Sequence, residues 1–262
     1  MTDIYRVLDQ PPLVKLLFYP RRQHQKARDG AFDLAVPVGD DINILCRGFQ
    51  AESGNSWLLY FHGNGEVVSD YDTIAPAYTS AGINLLVADY RGYGASDGSP
   101  TLKNMVEDAG KIFEYVHKNS PPADTGQDLN WLVMGRSLGS VPALELAAKY
   151  TGQLKGLIIE SGFLSIDRLI RHLGLPDPGN LASVEEYCRN LAARITLPGL
   201  VIHGEQDRLV PYEQGRELYD ALGSSSKKMI KIENADHNNI FFVAEHKYMK
   251  AVKNFISETG VV

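Results

Sequence analysis

Residues 131–150 read WLVMGRSLGSVPALELAAKY. The apolar run Trp131 to Met134 suits a buried strand, and the run from Leu138 to Tyr150 suits a helix. Between them lies Gly135-Arg136-Ser137-Leu138-Gly139, a serine with a glycine two positions away on each side. An ordinary helix cap would use the serine alone. Glycines on both sides point instead to a strained strand-to-helix turn that lifts the serine oxygen above a sheet, with backbones packed too closely for side chains. The helix that follows aims its free N–H groups at the space above the serine. Pro142 falls near the helix start, where its missing N–H is tolerated.

Working outward, short apolar runs recur at Trp57 to Phe61, Ile83 to Ala88, Gly156 to Ile159, Leu200 to Ile202 and Met229 to Ile232. Helix-length segments separate most of them: Glu66 to Ser80, Leu102 to Lys118 and Tyr212 to Leu222, with a last one at Ile240 to Ser257. Alternation of this kind predicts parallel crossovers and a doubly wound sheet with helices on both faces. Phe32 to Phe49 alternates around Gly39-Asp40-Asp41 and predicts an antiparallel hairpin at one edge. The fold class expected is α/β, a mostly parallel sheet of about eight strands in one domain spanning 1–262.

Ligands of such sheets bind beyond the carboxyl ends of the strands. The residues after each run are HGNGE (62–66), DYRGYG (89–94), the serine turn, HGEQD (203–207) and ENADH (233–237). They supply a hydroxyl, a carboxylate and an imidazole in the order Ser137, Asp207, His237. A serine hydroxyl is a weak nucleophile and needs a neighbouring base. His237, after the last strand, would serve as base and then as acid. Asp207 would fix its tautomer, with Glu160 as the competing acid. Asp236 reads as a turn residue, His62 as a brace for its own loop, and Asp89 as a carboxylate holding the YRGYG loop through backbone N–H groups. The glycines of that loop lack the third position of a dinucleotide fingerprint. A carboxylate nucleophile, which haloalkane and epoxide hydrolases require, is missing where Ser137 stands.

HGNGE, DYRGYGASDG (89–98) and GRSLGS (135–140), with the downstream Asp and His, resemble the α/β-hydrolase superfamily. Within it they look most like serine-aminopeptidase-like hydrolases and the α/β-hydrolase-domain acyl thioesterases. The resemblance runs from about Phe32 to the C-terminus. It implies acyl transfer to water without a metal or an organic cofactor. It also implies an oxyanion hole made by the backbone N–H of Leu138 and that of Asn64, Gly65 being the near alternative. The substrate class expected is a small acyl ester or thioester. Amide hydrolysis with the same residues and a non-catalytic binding module on the same fold are the rival readings.

Residues 162–194 are too long for a plain connection and predict a lid of two short helices joined by PDPGN (176–180). Leu169, Ile170 and Leu173 would face inward over the serine, with Leu169 and Leu173 as substrate-binding candidates. Only about 33 residues of lid imply a shallow acyl pocket and a preference for short or medium chains. The stretch LLFYP (16–20) could add an apolar wall.

The formal net charge of −6 argues against a nucleic-acid partner. The cluster Arg21-Arg22 with Lys26 and Arg28 reads as a solvated segment. Leu13 to Tyr19, interrupted by Lys15, is far short of the roughly 20 residues a bilayer span requires. No integral membrane span is expected. Two cysteines, Cys46 and Cys188, cannot build a disulfide framework, and a reducing, cytoplasmic setting fits them.

Overall fold

The central runs are apolar without alternation, so both faces of each strand must be covered. A computed structural model describes residues 2–54, 56–119 and 129–260. Its strands are β1 (Ala31–Gly39), β2 (Ile42–Phe49), β3 (Ser56–Phe61), β4 (Asn84–Ala88), β5 (Asn130–Arg136), β6 (Leu154–Glu160), β7 (Gly199–Gly204) and β8 (Lys227–Ile232). They form one sheet in the order β1-β2-β4-β3-β5-β6-β7-β8. Every residue of β3, β4 and β7 is buried, whereas β1 and β8 at the edges are only partly so. β2 runs antiparallel to β1 and β4, and all the other pairs are parallel. The expected edge hairpin is present, with Asp41 at φ 56° in its turn.

The helices are α1 (Pro11–Leu17), α2 (Ala75–Ser80), α3 (Leu102–Asn119), α4 (Ser140–Lys149), α5 (Ile166–His172), α6 (Leu181–Arg194), α7 (Tyr212–Ala221) and α8 (Ile240–Glu258). One core, under α3, α4, α6 and α7, contains Phe113, Leu146, Leu191 and Leu218. The other, under α2 and α8, contains Tyr78, Val252 and Phe255. The chain order reverses between β3 and β5, which opens a crevice beyond their carboxyl ends. The HGNGE loop and the Ser137 turn both face that crevice.

Two expected helices differ from the structure, and proline explains both. Glu66 to Ser80 is divided into a 3₁₀ turn, Val68–Thr73, and α2, with Pro76 in the first turn of α2. An unbroken helix would lose the bond from position 76 and clash with the carbonyl four residues back. The segment after Ser137 begins as a 3₁₀ turn, Ser137–Gly139, before α4. Pro142 then lies in the first turn of α4.

The basic N-terminal segment is not simply solvated. Arg21 pairs with Asp70 at 2.7 Å and donates to Gly65 O at 3.0 Å. Arg22 donates to Ser96 O at 2.8 Å and Gly98 O at 2.9 Å. The sequence marks these side chains as cations but does not show which carbonyls lie within their reach. Among the described residues no helix is long and apolar enough to cross a membrane.

Candidate active site

Ser137 follows β5 with φ 51°, in the left-handed region that costs a non-glycine residue about 1–3 kcal/mol. The surrounding backbone enforces it. A Cβ at Gly135 would sit 2.3 Å from Gly139 O, and one at Gly139 would sit 2.1 Å from Phe61 O. The two glycines of the opening stretch are therefore there for contact between β3, β5 and the first turn of the helix.

Asp207 follows β7. Its Oδ1 accepts the N–H groups of Leu209 at 3.0 Å and Val210 at 2.8 Å, which fixes the carboxylate plane. Its Oδ2 is left facing His237 Nδ1 at 2.7 Å. The other ring nitrogen of His237, Nε2, lies 2.9 Å from Ser137 Oγ. All three residues are buried to within a few per cent of full cover. Burial works against the Asp207 charge, but hydrogen bonds from His203, His237 and the Val210 N–H outweigh it and hold the carboxyl below the usual carboxylate range.

Glu160, the competing acid, faces elsewhere. Its Oε1 accepts from Arg136 Nε at 3.0 Å and its Oε2 from the Tyr248 hydroxyl at 2.6 Å. Asp236 is a turn residue, accepting the N–H groups of Asn238 and Asn239 through Oδ1 at 2.9 and 3.1 Å. His62 lies 2.8 Å from Gly63 O in its own loop and 3.1 Å from Asp89 Oδ1 after β4. Asp89 departs from expectation. It accepts from Val68 N–H at 3.0 Å, so it braces the segment after β3 rather than the YRGYG loop. Gly94 of that loop passes so close to Asp89 Oδ2 that a Cβ there would lie 2.2 Å away.

Leu138 follows Ser137 in the 3₁₀ turn, where backbone N–H groups have no preceding helical carbonyl. Asn64 stands across the same cleft. Its side chain is engaged elsewhere: Oδ1 accepts from Tyr19 N–H at 2.9 Å and the Tyr93 hydroxyl at 2.7 Å, and Nδ2 donates to Leu17 O at 2.6 Å.

The cleft has a volume of about 400 Å³. Leu169 and Leu173 line it together with Phe163 and Leu175, while Leu16, Leu17 and Tyr19 form the facing wall. Ile170, by contrast, is buried in the core. Of the expected two-helix lid only α5 and its flanks reach the cleft. α6 packs the other way, where Tyr187 and Tyr5 both donate to Glu145 Oε1 at 2.8 Å. Leu16, Tyr19, Leu173 and Leu209 are exposed at the rim.

Sequence reasoning missed two contributors, His203 and Arg136. His203, fully buried, lies 3.4 Å from Asp207 Oδ2 and 2.8 Å from Val210 O. Arg136 is a charge at the end of an apolar strand, which was a signal of sorts. The wall from LLFYP could be suspected but not placed, because nothing local says where a leading segment docks.

Residues 54–178 and 179–241 match the family model described as serine aminopeptidase, S33. Protein bem46 of Schizosaccharomyces pombe is 30% identical over 222 residues, covering 81% of this chain and 71% of that protein. Alpha/beta hydrolase domain-containing protein 17C of Homo sapiens is 27% identical over 212 residues, covering 79% of this chain and 60% of that protein. Among solved structures, the esterase Pf2001 of Pyrococcus furiosus superposes with a TM-score of 0.74 at 16% identity, over 91% of this chain and 98% of that one. Est1E from Butyrivibrio proteoclasticus, with ferulic acid bound, gives 0.70 at 22% identity over 86% and 98%. At those identities the structural likeness speaks for the fold, and the family match for descent. The chain belongs to the serine aminopeptidase S33 family of α/β-hydrolases.

Proposed function

We propose that this hydrolase cleaves a small carboxylic ester or thioester through an acyl-enzyme, with Ser137, His237 and Asp207 as its triad. His237 Nε2 takes the Ser137 proton as Oγ attacks the carbonyl carbon. The backbone N–H groups of Leu138 and Asn64 receive the oxyanion, and His237 returns the proton to the departing alcohol or thiol. Water, deprotonated by the same imidazole, then releases the acid. Asp207 keeps the Nδ1 proton in place and stabilises the imidazolium. The observation that carries this reading is the chain Ser137 Oγ–His237 Nε2 at 2.9 Å and His237 Nδ1–Asp207 Oδ2 at 2.7 Å, at the floor of an apolar cleft. Gly65, one residue further along the same loop, is the alternative second donor.

Peptide or amide hydrolysis is the second reading, since the family's description names an aminopeptidase. Recognition of a free ammonium calls for a carboxylate in the pocket, yet none of the described residues lining this cleft is Asp or Glu. That favours an apolar acyl group. Two buried thiols, Cys46 and Cys188, favour a cytoplasmic setting.

The test is fluorophosphonate labelling, followed by kinetics on p-nitrophenyl esters and on aminoacyl p-nitroanilides. Ser137→Ala should abolish labelling and lower ester turnover by about 10⁴-fold or more with the fold intact. Ester hydrolysis that survives in Ser137→Ala would defeat the assignment, and faster anilide than ester cleavage would move it to the second reading.

A further inference from the structure

The chemistry proposed above needs three loops in register: the turn of Ser137, the loop of Asn64 after β3, and the loop of His237 after β8. The serine–histidine–aspartate chain ties the first to the third and leaves the second unaddressed. A single side chain reaches all of them. Arg136, next to the nucleophile and 9% exposed, donates from Nη2 to the backbone oxygen of His237 at 2.7 Å and to Asn238 Oδ1 at 3.1 Å. From Nη1 it donates to Glu66 Oε1 at 2.5 Å. Glu66 Oε2 in turn accepts the N–H of Gly63, immediately before Asn64, at 2.8 Å. Nε is anchored on Glu160, the Cα partner of Arg136 in the β5–β6 ladder. The oxyanion loop lies directly on the guanidinium, for a Cβ at Gly63 would sit 2.3 Å from Arg136 Nη1.

We infer that Arg136 is a positioning residue that locks the oxyanion loop and the histidine loop to the nucleophile turn. This rests on the serine-hydrolase reading. Apolar side chains of similar volume would fill this region at less desolvation cost than a guanidinium between two carboxylates. They could not aim a hydrogen bond at each of two loops. A planar fork of five N–H donors can do so, and a lysine, with one point charge, cannot span the same acceptors.

The test uses Arg136→Lys and Glu66→Gln in the full chain, each normalised to the fraction that folds. In Arg136→Lys kcat on a p-nitrophenyl ester should fall about 10²-fold, as for a small misplacement of reacting groups, with KM changed less than about threefold. Glu66→Gln, which removes the charge and one acceptor from the link to the oxyanion loop and leaves the bonds of Arg136 to Glu160 and the histidine loop, should lose about tenfold. The double variant should be no slower than the worse single one, because both break one unit. Amide exchange should quicken together at 63–66 and 237–239 in Arg136→Lys while β5 and β6 stay protected. Wild-type kcat in either folded variant, or unchanged exchange in both loops, overturns the inference. If Arg136→Lys does not fold, Glu66→Gln decides by the same measurements. Loosened loops in a protein whose wild type neither labels nor cleaves esters would instead sink the serine-hydrolase reading and leave the bracket standing.

Discussion

Asp207→Asn changes one atom in the candidate triad, and the structure says which bonds survive. An asparagine can keep its Oδ1 on the N–H groups of Leu209 and Val210, now at 3.0 and 2.8 Å. Those two bonds hold the side-chain plane, so the new NH₂ replaces Oδ2, 2.7 Å from His237 Nδ1. Two donors cannot face each other. Nδ1 must give up its proton and become an acceptor, which puts the proton on Nε2, 2.9 Å from Ser137 Oγ. The imidazole then offers the serine a donor where attack requires a base. The serine-protease precedent for this exchange is a loss of about 10⁴ in kcat, or about 5.5 kcal/mol of transition-state stabilisation. The assay is p-nitrophenyl ester hydrolysis with the active fraction counted by fluorophosphonate. Glu160→Gln serves as the comparison, since Glu160 faces Arg136 and Tyr248, and should lose far less. Were Glu160→Gln to lose more than Asp207→Asn, the acid would be misassigned and the argument from the loop after β7 would fail.

The same carboxylate makes a prediction about acid stability. Its folded pKa lies below the roughly 3.9 of an unfolded aspartate, so its contribution is full above that value, begins to be lost as pH falls past it, and is gone only below the folded pKa. Urea midpoints between pH 6 and 3 should drop less steeply in Asp207→Asn than in wild type, and parallel curves would contradict this. Asn64→Ala keeps the backbone donor but frees Leu17 O and Tyr19 N–H from their side-chain anchor. It should raise KM for butyryl or hexanoyl esters while leaving kcat for acetyl esters nearly unchanged; an equal loss on all of them would show that the side chain itself serves the oxyanion. Leu169→Ala and Leu173→Ala should shift the preferred acyl length without affecting Ser137 labelling. Each methylene that the wild-type cleft covers is worth about 0.8 kcal/mol, roughly fourfold in kcat/KM; a selectivity ladder unchanged in both variants, or one still rising at palmitoyl, would rule out the shallow apolar cleft. Gly139→Ala forces a Cβ to 2.1 Å from Phe61 O and should cost more than the about 1–3 kcal/mol of ordinary overpacking, whereas Gly152→Ala, with open space around it, should be near neutral in thermal melts.

Much of this was legible in one dimension because it is set locally. A buried parallel strand must be apolar on both faces, so β3 to β7 announce themselves, and the ends of those strands are where side chains can leave the sheet. Glycines flanking Ser137 report a close approach of backbones, and only a few arrangements need one. The order Ser137, Asp207, His237, after β5, β7 and β8, then follows from the topology of crossovers. Tertiary structure decided what depends on contacts between distant segments. Which way Glu160 points is settled by Arg136 and Tyr248, from the neighbouring strand and α8. The partners of Asp89 lie after β3, and the wall of the cleft comes from residues 16–19, held by Asn64 more than 40 positions away. Hydrophobic pattern records that a side chain leaves water. It carries no record of which partner meets it there, and for a buried polar group the partner determines the role.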